Sequence, residues 1–343
     1  MARRPTMKDV AREAGLSVTT VDRALNGRSV VSEATLKAIA EAAERVGYHA
    51  RGLIARRITD RVPEVRLGFV LVKPKHEFYQ GFAREIGAAV ARRRDVRGRA
   101  TVVFAQSQSP EEFSELLRGF RGRVDAVAAV AVNHQKMTQV AWELREAGVP
   151  VFSLLNDFAQ GVRQGYVGLN NLKMGRLAAW MFTRALPDPG KLGIIVGGNR
   201  WHGHDLRETG FRSFVRETAP AFAVLEPAVN LEAREVTYET TLDLLRRHPD
   251  LRGICVAGGG MEGAIAALRE MRPPGKVALI VNELTEVSRA ALLDGYVMMV
   301  IATPLPDLCR DLVGMMIAAA GAPGQGPAAQ HFLEPRIVLP EML

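Results

Sequence analysis

The string TMKDVAREAGLSVTTVDRALN (Thr6–Asn26), followed after Gly27 by SEATLKAIAEAAERVGY (Ser32–Tyr48), decides how the chain begins. Thr6 can cap a helix, with Asp9 in the reciprocal place of a capping box. Val10, Ala11 and Ala14 fall on one face of that helix. Gly15 offers the backbone freedom for a sharp stop. Ser17 caps a second helix whose inward residues are Val21, Ala24 and Leu25, and Gly27 ends it. Ser32 opens a third, with Leu36, Ile39, Ala40, Ala43 and Val46 inward and Gly47 past its end. Two helices on a short glycine turn, braced by a third, predict an all-α helix-turn-helix head. Spacing alone also admits an ordinary three-helix subdomain with no nucleic-acid role.

Charge favours the first reading. Residues 1–61 hold twelve Lys or Arg against seven Asp or Glu, so they carry +5 of the chain's +8 and leave +3 for the other 282 residues. Basic charge gathered in one segment is the footprint of a phosphate-binding surface. A chain of 343 residues, 48% hydrophobic, is globular and larger than one small domain. Cys255 and Cys309 show neither metal spacing nor a disulfide framework. No apolar run resembles a signal peptide or reaches membrane-spanning length, so a soluble cytoplasmic protein with no membrane partner is expected.

From Val65 the pattern changes to short apolar strands alternating with helical runs. The strands read are Arg66–Val72, Ala100–Ala105, Ala126–Val132, Pro150–Leu154, Gly165–Leu169, Lys191–Val196, Arg252–Val256, Val277–Val281 and Met298–Ile301. Such alternation predicts two doubly wound parallel sheets, with ligands at the carboxyl ends of the strands. The segments after those ends supply the candidates Lys73, His76, Phe78, Tyr79, Asn133, His134, Trp201, His202, Arg207, Gly259 and Glu283. Aromatic rings beside amide, carboxylate and guanidinium groups suit a polyhydroxylated ligand. Lys73, His76, His134, His202 and Arg207 also suggest an acidic sugar or sugar phosphate. His202 and His204 lack a third ligand at recognisable spacing, so no metal is expected. A competing reading takes Gly258–Gly263 as G-x-G-x-x-G, with Glu283 twenty residues beyond, the outline of an NAD site in a sensor or dehydrogenase. No catalytic triad or paired carboxylates accompany it. Neither catalysis nor a cofactor is expected.

The head resembles that of the LacI (lactose repressor) family of transcriptional regulators, through Met7–Gly27, Val31–Thr35 and Val46–Tyr48. The remainder resembles a periplasmic sugar-binding-protein fold, through Tyr166–Asn171, Gly175 and Arg207–Phe211. The resemblance implies a helix-turn-helix domain at 1–49, a hinge at 50–63 and an effector domain at 64–343. Its N-subdomain would span about 64–164 plus 296–324, and its C-subdomain about 165–295 plus 325–343. It further implies a homodimeric repressor on a double-stranded operator, governed by a sugar, polyol or sugar acid.

On the same resemblance, Val18, Thr19 and Arg23 fall at base-reading positions, where Arg suits guanine and Val18 a thymine methyl. Thr6, Ser17, Thr20 and Asn26 fall at phosphate or cap positions. Asp22 departs from the family's usual Ser; it would orient Arg23 or Arg28, or accept from a cytosine amine. The hinge departs further. The usual Pro-Asn pair is Ala50-Arg51, and the minor-groove leucine falls on Arg57, next to Ile58. Either Ile58 takes the wedge role or the operator is bent less. In the sensor the family's ligand positions fall on Phe78, Tyr79, Asn133, Arg207 and Glu283. The usual Asn-Asp after the seventh strand is Gly258–Gly260, and a late Gln is Ala302.

Overall fold

A computed structural model describes residues 5–26, 31–48, 62–322 and 329–343. The chain divides into two compact units, one built around the first 64 residues and the other holding nearly all the rest.

The first unit contains α1 (Met7–Glu13), α2 (Val18–Asn26) and α3 (Glu33–Arg45). Their ends follow the local chemistry. The Asp9 carboxylate accepts from the Thr6 N–H at 2.9 Å and the Thr6 hydroxyl at 2.7 Å. The Thr20 N–H donates to Ser17 Oγ and the Thr35 N–H to Ser32 Oγ. Gly15 takes φ +66 and turns the chain between α1 and α2. Val10, Ala11, Val21, Ala24, Leu36, Ile39, Ala42, Ala43 and Tyr48 form the small core. Its alanines let the three helices approach closely.

The second unit holds two sheets. The first has the order β12-β5-β4-β3-β1-β2, from β1 (Glu64–Val72), β2 (Arg97–Ala105), β3 (Ala126–Ala129), β4 (Val151–Leu154), β5 (Gly165–Leu169) and β12 (Ala329–Leu333). The second has the order β13-β11-β10-β9-β6-β7, from β6 (Lys191–Val196), β7 (Ala223–Val224), β9 (Leu251–Val256), β10 (Ala278–Asn282), β11 (Met299–Ala302) and β13 (Arg336–Val338). The two-residue β8 (Ala228–Val229) also pairs with β6. The run β1-β3-β4-β5-β12 and the run β7-β6-β9-β10-β11 pair in parallel, and β13 is antiparallel on the edge at β11. The crossovers carry α4 (Glu77–Arg92), α5 (Pro110–Arg118), α6 (Gln135–Glu146), α7 (Asn171–Ala185), α8 (His202–Thr218), α9 (Arg234–Arg247), α10 (Met261–Met271), α11 (Glu286–Leu293) and α12 (Leu305–Gly321). Strands such as VFSL of β4 and ALIVN of β10 are buried along their whole length, as sheets covered on both faces require.

Strand placement departs from expectation at three points. Gly165–Leu169 and Ala329–Leu333 complete the first sheet, and Met299–Ala302 lies in the second. The chain therefore changes sheet after Leu169, after Ala302 and between Leu333 and Arg336, not at 165, 296 and 325. Apolar runs mark strands, but pairing across 164 residues, as in β5 with β12 (Gly165 to Ala329), decides their sheet. Two glycines set the α7–α8 contact. A Cβ on Gly175 would lie 1.8 Å from the Arg207 carbonyl oxygen, and one on Gly210 would lie 2.1 Å from that of Leu172.

Candidate functional site

The carboxyl ends of strands from both sheets converge on one cavity of about 90 Å³. β1 delivers Lys73, β4 Leu155 and Asn156, β5 Asn171, β9 Gly258 and Gly259, β10 Asn282 and Glu283, and β11 Thr303. The starts of α4 and α8 add His76, Phe78, Tyr79, Gly203, His204 and Arg207. At roughly 10–15 Å³ per enclosed water, the space admits a small polar molecule.

Arg207 is the best-held polar group. Its Nε donates to Asn171 Oδ1 at 2.7 Å, and its Nη1 donates to the Ala257 carbonyl at 2.6 Å and to Asn282 Oδ1 at 2.8 Å. Its Nη2 makes no hydrogen bond to the described residues. The guanidinium is thus fixed in direction with one donor edge left over. Glu283, at φ +66, accepts from the Thr303 N–H and hydroxyl, and burial pushes its carboxyl upward. Burial also lifts the Tyr79 hydroxyl well above its ordinary value, so it stays a neutral donor. Phe78 and Tyr79 meet edge to face at 5.1 Å, and Trp201 stacks on His204 at 5.9 Å.

A row of polar contacts joins segments after the first-sheet strands to segments after the second-sheet strands. Lys73 Nζ donates to Glu232 Oε2 at 2.8 Å. His76 Nε2 lies 3.2 Å from Glu262 Oε1. Trp201 Nε1 donates to Gln108 Oε1 at 2.9 Å, and Gln108 Nε2 donates to the Leu231 carbonyl at 3.0 Å. Glu232 is buried, which raises its pKa, but the Lys73 ammonium, His204 and the Gly259 N–H outweigh that and hold it at about 2. Burial drives His204 down to about 4, so it is neutral near pH 7. Its Nδ1 accepts from the Gly197 N–H, which leaves Nε2 to carry the proton.

Lys73, His76, Phe78, Tyr79, Trp201, Arg207, Gly259 and Glu283 line the cavity together. Asn133, His134 and His202 stand outside its lining. Asn133 is exposed and gives its N–H to the Arg200 carbonyl. His134 caps α6, its Nδ1 accepting from the Lys136 N–H. His202 opens α8, and His204 rather than His202 turns inward. Among the described residues no His, Cys, Asp and Glu group of metal-binding size occurs. Sequence reasoning missed Asn156, Asn171, His204, Glu232, Asn282 and Thr303. All but Glu232 and His204 sit at or just past a strand end, the signal that picked out their neighbours.

The dinucleotide reading of Gly258–Gly263 fails on geometry. The Gly259 N–H already donates to Glu232 Oε1 at 2.7 Å, and a carboxylate there repels a pyrophosphate. A Cβ on Gly258 would lie 2.2 Å from Glu232 Oε1 and 2.2 Å from His204 Cε1. The glycines let the loop close over these side chains.

Ser17 before α2 and Val18, Thr19, Arg23 and Asn26 on it are exposed while Val21 and Ala24 are buried, so one face of the helix is exposed along its length. Thr6 is exposed at the start of α1. Ser17 Oγ and Thr20 Oγ1 are 2.8 Å apart. Asp22 accepts from Asn26 Nδ2 at 2.6 Å, a side-chain bond one helical turn along. Arg28, Arg51, Arg57 and Ile58 lie outside the described residues.

Two family models match the chain: bacterial regulatory proteins of the lacI family over residues 6–50, and the periplasmic binding protein domain over residues 67–324. The HTH-type transcriptional regulator CelR of Thermobifida fusca is 29% identical over 80% of this chain and 79% of its own. The HTH-type transcriptional regulator GalR of Salmonella typhimurium is 23% identical over 97% and 94%. Among solved structures, a solute-binding protein from Burkholderia graminis in complex with D-arabinose superposes with a TM-score of 0.74 at 18% identity, over 81% of this chain and 96% of its own. GanP, a glucose-galactose binding protein from Geobacillus stearothermophilus, gives 0.74 at 16%, over 82% and 99%. At these identities the structural likeness shows the fold alone.

Proposed function

The chain belongs to the periplasmic binding protein domain family and carries a lacI-family regulatory head, and from that premise we propose a DNA-binding transcriptional repressor governed by a small neutral sugar or polyol. The observation that carries the reading is the cavity at the strand ends, present in the same chain as the head. Its rings offer flat apolar faces, and Asn156, Arg207 and Glu283 offer the fixed donors and acceptors that hydroxyl groups need. A sugar acid or sugar phosphate fits less well. Lys73 is committed to Glu232, and the carboxyl groups of Glu232 and Glu283 share the cavity with Arg207, so an anion would meet two acidic side chains there.

In this reading Val18, Thr19 and Arg23 read base edges while Ser17, Thr20 and Asn26 hold phosphates. Two copies act together on a two-fold operator. The effector acts by preferring one closure of the two-lobed domain, and shifts DNA affinity only by that preference. The role is regulation and not catalysis.

A thermal-shift screen of neutral sugars, polyols, sugar acids and NAD tests the ligand class. Stabilisation by neutral sugars or polyols, lost in Arg207→Ala, is expected. Stabilisation only by NAD or by anionic sugars would overturn it.

A further inference from the structure

Next to the cavity lies a second, wider space of about 720 Å³. Lys73, His76 and Glu232 line both spaces, so the two meet along these side chains. The outer one is walled by Pro74 and Lys75 after β1, Gln106 after β2, Arg234 and Glu235 at the start of α9, and Glu262 at the start of α10.

Its chemistry differs from that of the inner cavity. No Phe, Tyr or Trp lines it, and its charges balance, with Lys73, Lys75 and Arg234 against Glu232, Glu235 and Glu262. A balanced lining gives no net field that would select an ion of either sign. It offers hydrogen-bond donors and acceptors together, as hydroxyl groups require. Lys75, Arg234 and Glu235 have theirs to spare: among the described residues their side chains make no hydrogen bond or ion pair. A mere entrance to the inner cavity needs width alone.

The junction has a donor to spare as well. Lys73 Nζ donates to Glu232 Oε2 at 2.8 Å and to the Glu232 carbonyl at 3.1 Å. An ammonium carries three donors, so one is left over. An acetal oxygen, which can only accept, complements it. A side chain at position 259 would crowd this point, since a Cβ on Gly259 would lie 2.4 Å from Lys73 Nζ.

We infer that the two spaces are adjoining subsites for one ligand, and that the effector is a neutral glycoside of two sugar units, one in each space, with the glycosidic oxygen beside Lys73. This narrows the neutral-sugar reading above and rests on it. The inner subsite, with its rings and its fixed Arg207 and Glu283, sets which sugar is held. The outer subsite adds hydrogen bonds to a unit already tethered there, so its contribution is intramolecular and modest contacts raise affinity.

The test is isothermal titration of the full chain with D-glucose, D-galactose, D-mannose and D-xylose, and with maltose, cellobiose, lactose, melibiose, mannobiose and xylobiose. The variant combines Arg234→Ala and Glu235→Ala. A matched control combines Glu239→Ala and Arg246→Ala, exposed positions on α9 outside the lining of the outer space. One disaccharide is expected to bind at least about tenfold tighter than either of its component sugars. The variant is expected to remove most of that preference and to leave the component sugars, the melting temperature and the control at wild-type values. Disaccharides that bind no tighter than their components, a variant that weakens both sizes equally, or a control that loses the same preference overturns the two-unit ligand and leaves the neutral-sugar reading standing. A wild-type chain that binds no sugar of either size overturns both.

Discussion

Arg207 bears the most on the cavity. Truncation to Ala would leave Asn171 Oδ1 and Asn282 Oδ1 without their donor, at a cost of about 1–3 kcal/mol for each buried group. We expect Arg207→Ala to lower effector affinity by at least about 30-fold, the equivalent of about 2 kcal/mol, with duplex affinity in the absence of effector within a few-fold of wild type. Isothermal titration with the sugar that stabilises wild type best reads the first, and anisotropy on duplex DNA the second. His204 makes a pH prediction. It titrates near 4 when folded against 6.5 when free, so the unfolded chain binds the extra proton between those values. Its contribution is complete above pH 6.5 and is lost as pH falls to 4. Glu232, held at about 2 against 4.5, adds a second loss from 4.5 downward. Melting temperature should therefore fall from pH 6.5 to 4, and His204→Gln should flatten that fall. A flat wild-type profile would contradict the buried neutral imidazole. Arg207 was legible because it follows a strand end within a polar segment. Glu232 was not, since its partner Lys73 lies 159 residues away and nothing local marks it.

Helix ends were the most readable elements. The Thr6–Asp9 box and the Ser17 and Ser32 caps depend on residues three apart, so sequence suffices. α12 was not read, because LPDLCRDLVGMMIAAAG follows Pro304 and its apolar residues spread too widely for one clear stripe. Sheet membership was also out of reach, for the reason that moved β5, β11 and β12. At this scale the α7–α8 contact makes a prediction. Gly175→Ala would push a methyl group into the Arg207 carbonyl, and overpacking of this kind costs about 1–3 kcal/mol. The shift displaces the helix that aims Arg207. Lower melting temperature together with weaker effector binding is expected; lower stability with unchanged effector affinity would separate the contact from the cavity. The Lys73–Glu232 bond makes another. Lys73→Ala leaves a buried carboxylate facing no cation, so the closed arrangement is less populated and apparent effector affinity falls by the same fraction. Unchanged affinity would show that the bond plays no part in closure.

At the scale of the whole molecule, the proposed regulator couples a base-reading helix to the strand-end cavity of the same chain through a population shift. Coupling free energies of about 1–3 kcal/mol, or 5- to 150-fold in affinity, are ordinary for such switches. The coupling must be reciprocal: DNA that prefers one closure changes effector affinity by the same factor. The most direct test is an anisotropy titration of the full chain into a duplex selected from a random library, with and without the neutral sugar or polyol that raises melting temperature most. At least a fivefold change in duplex affinity is expected, abolished by Arg207→Ala, with selected binding itself abolished by Arg23→Ala. Duplex affinity that ignores the ligand, or a ligand effect that survives Arg207→Ala, would contradict this coupling.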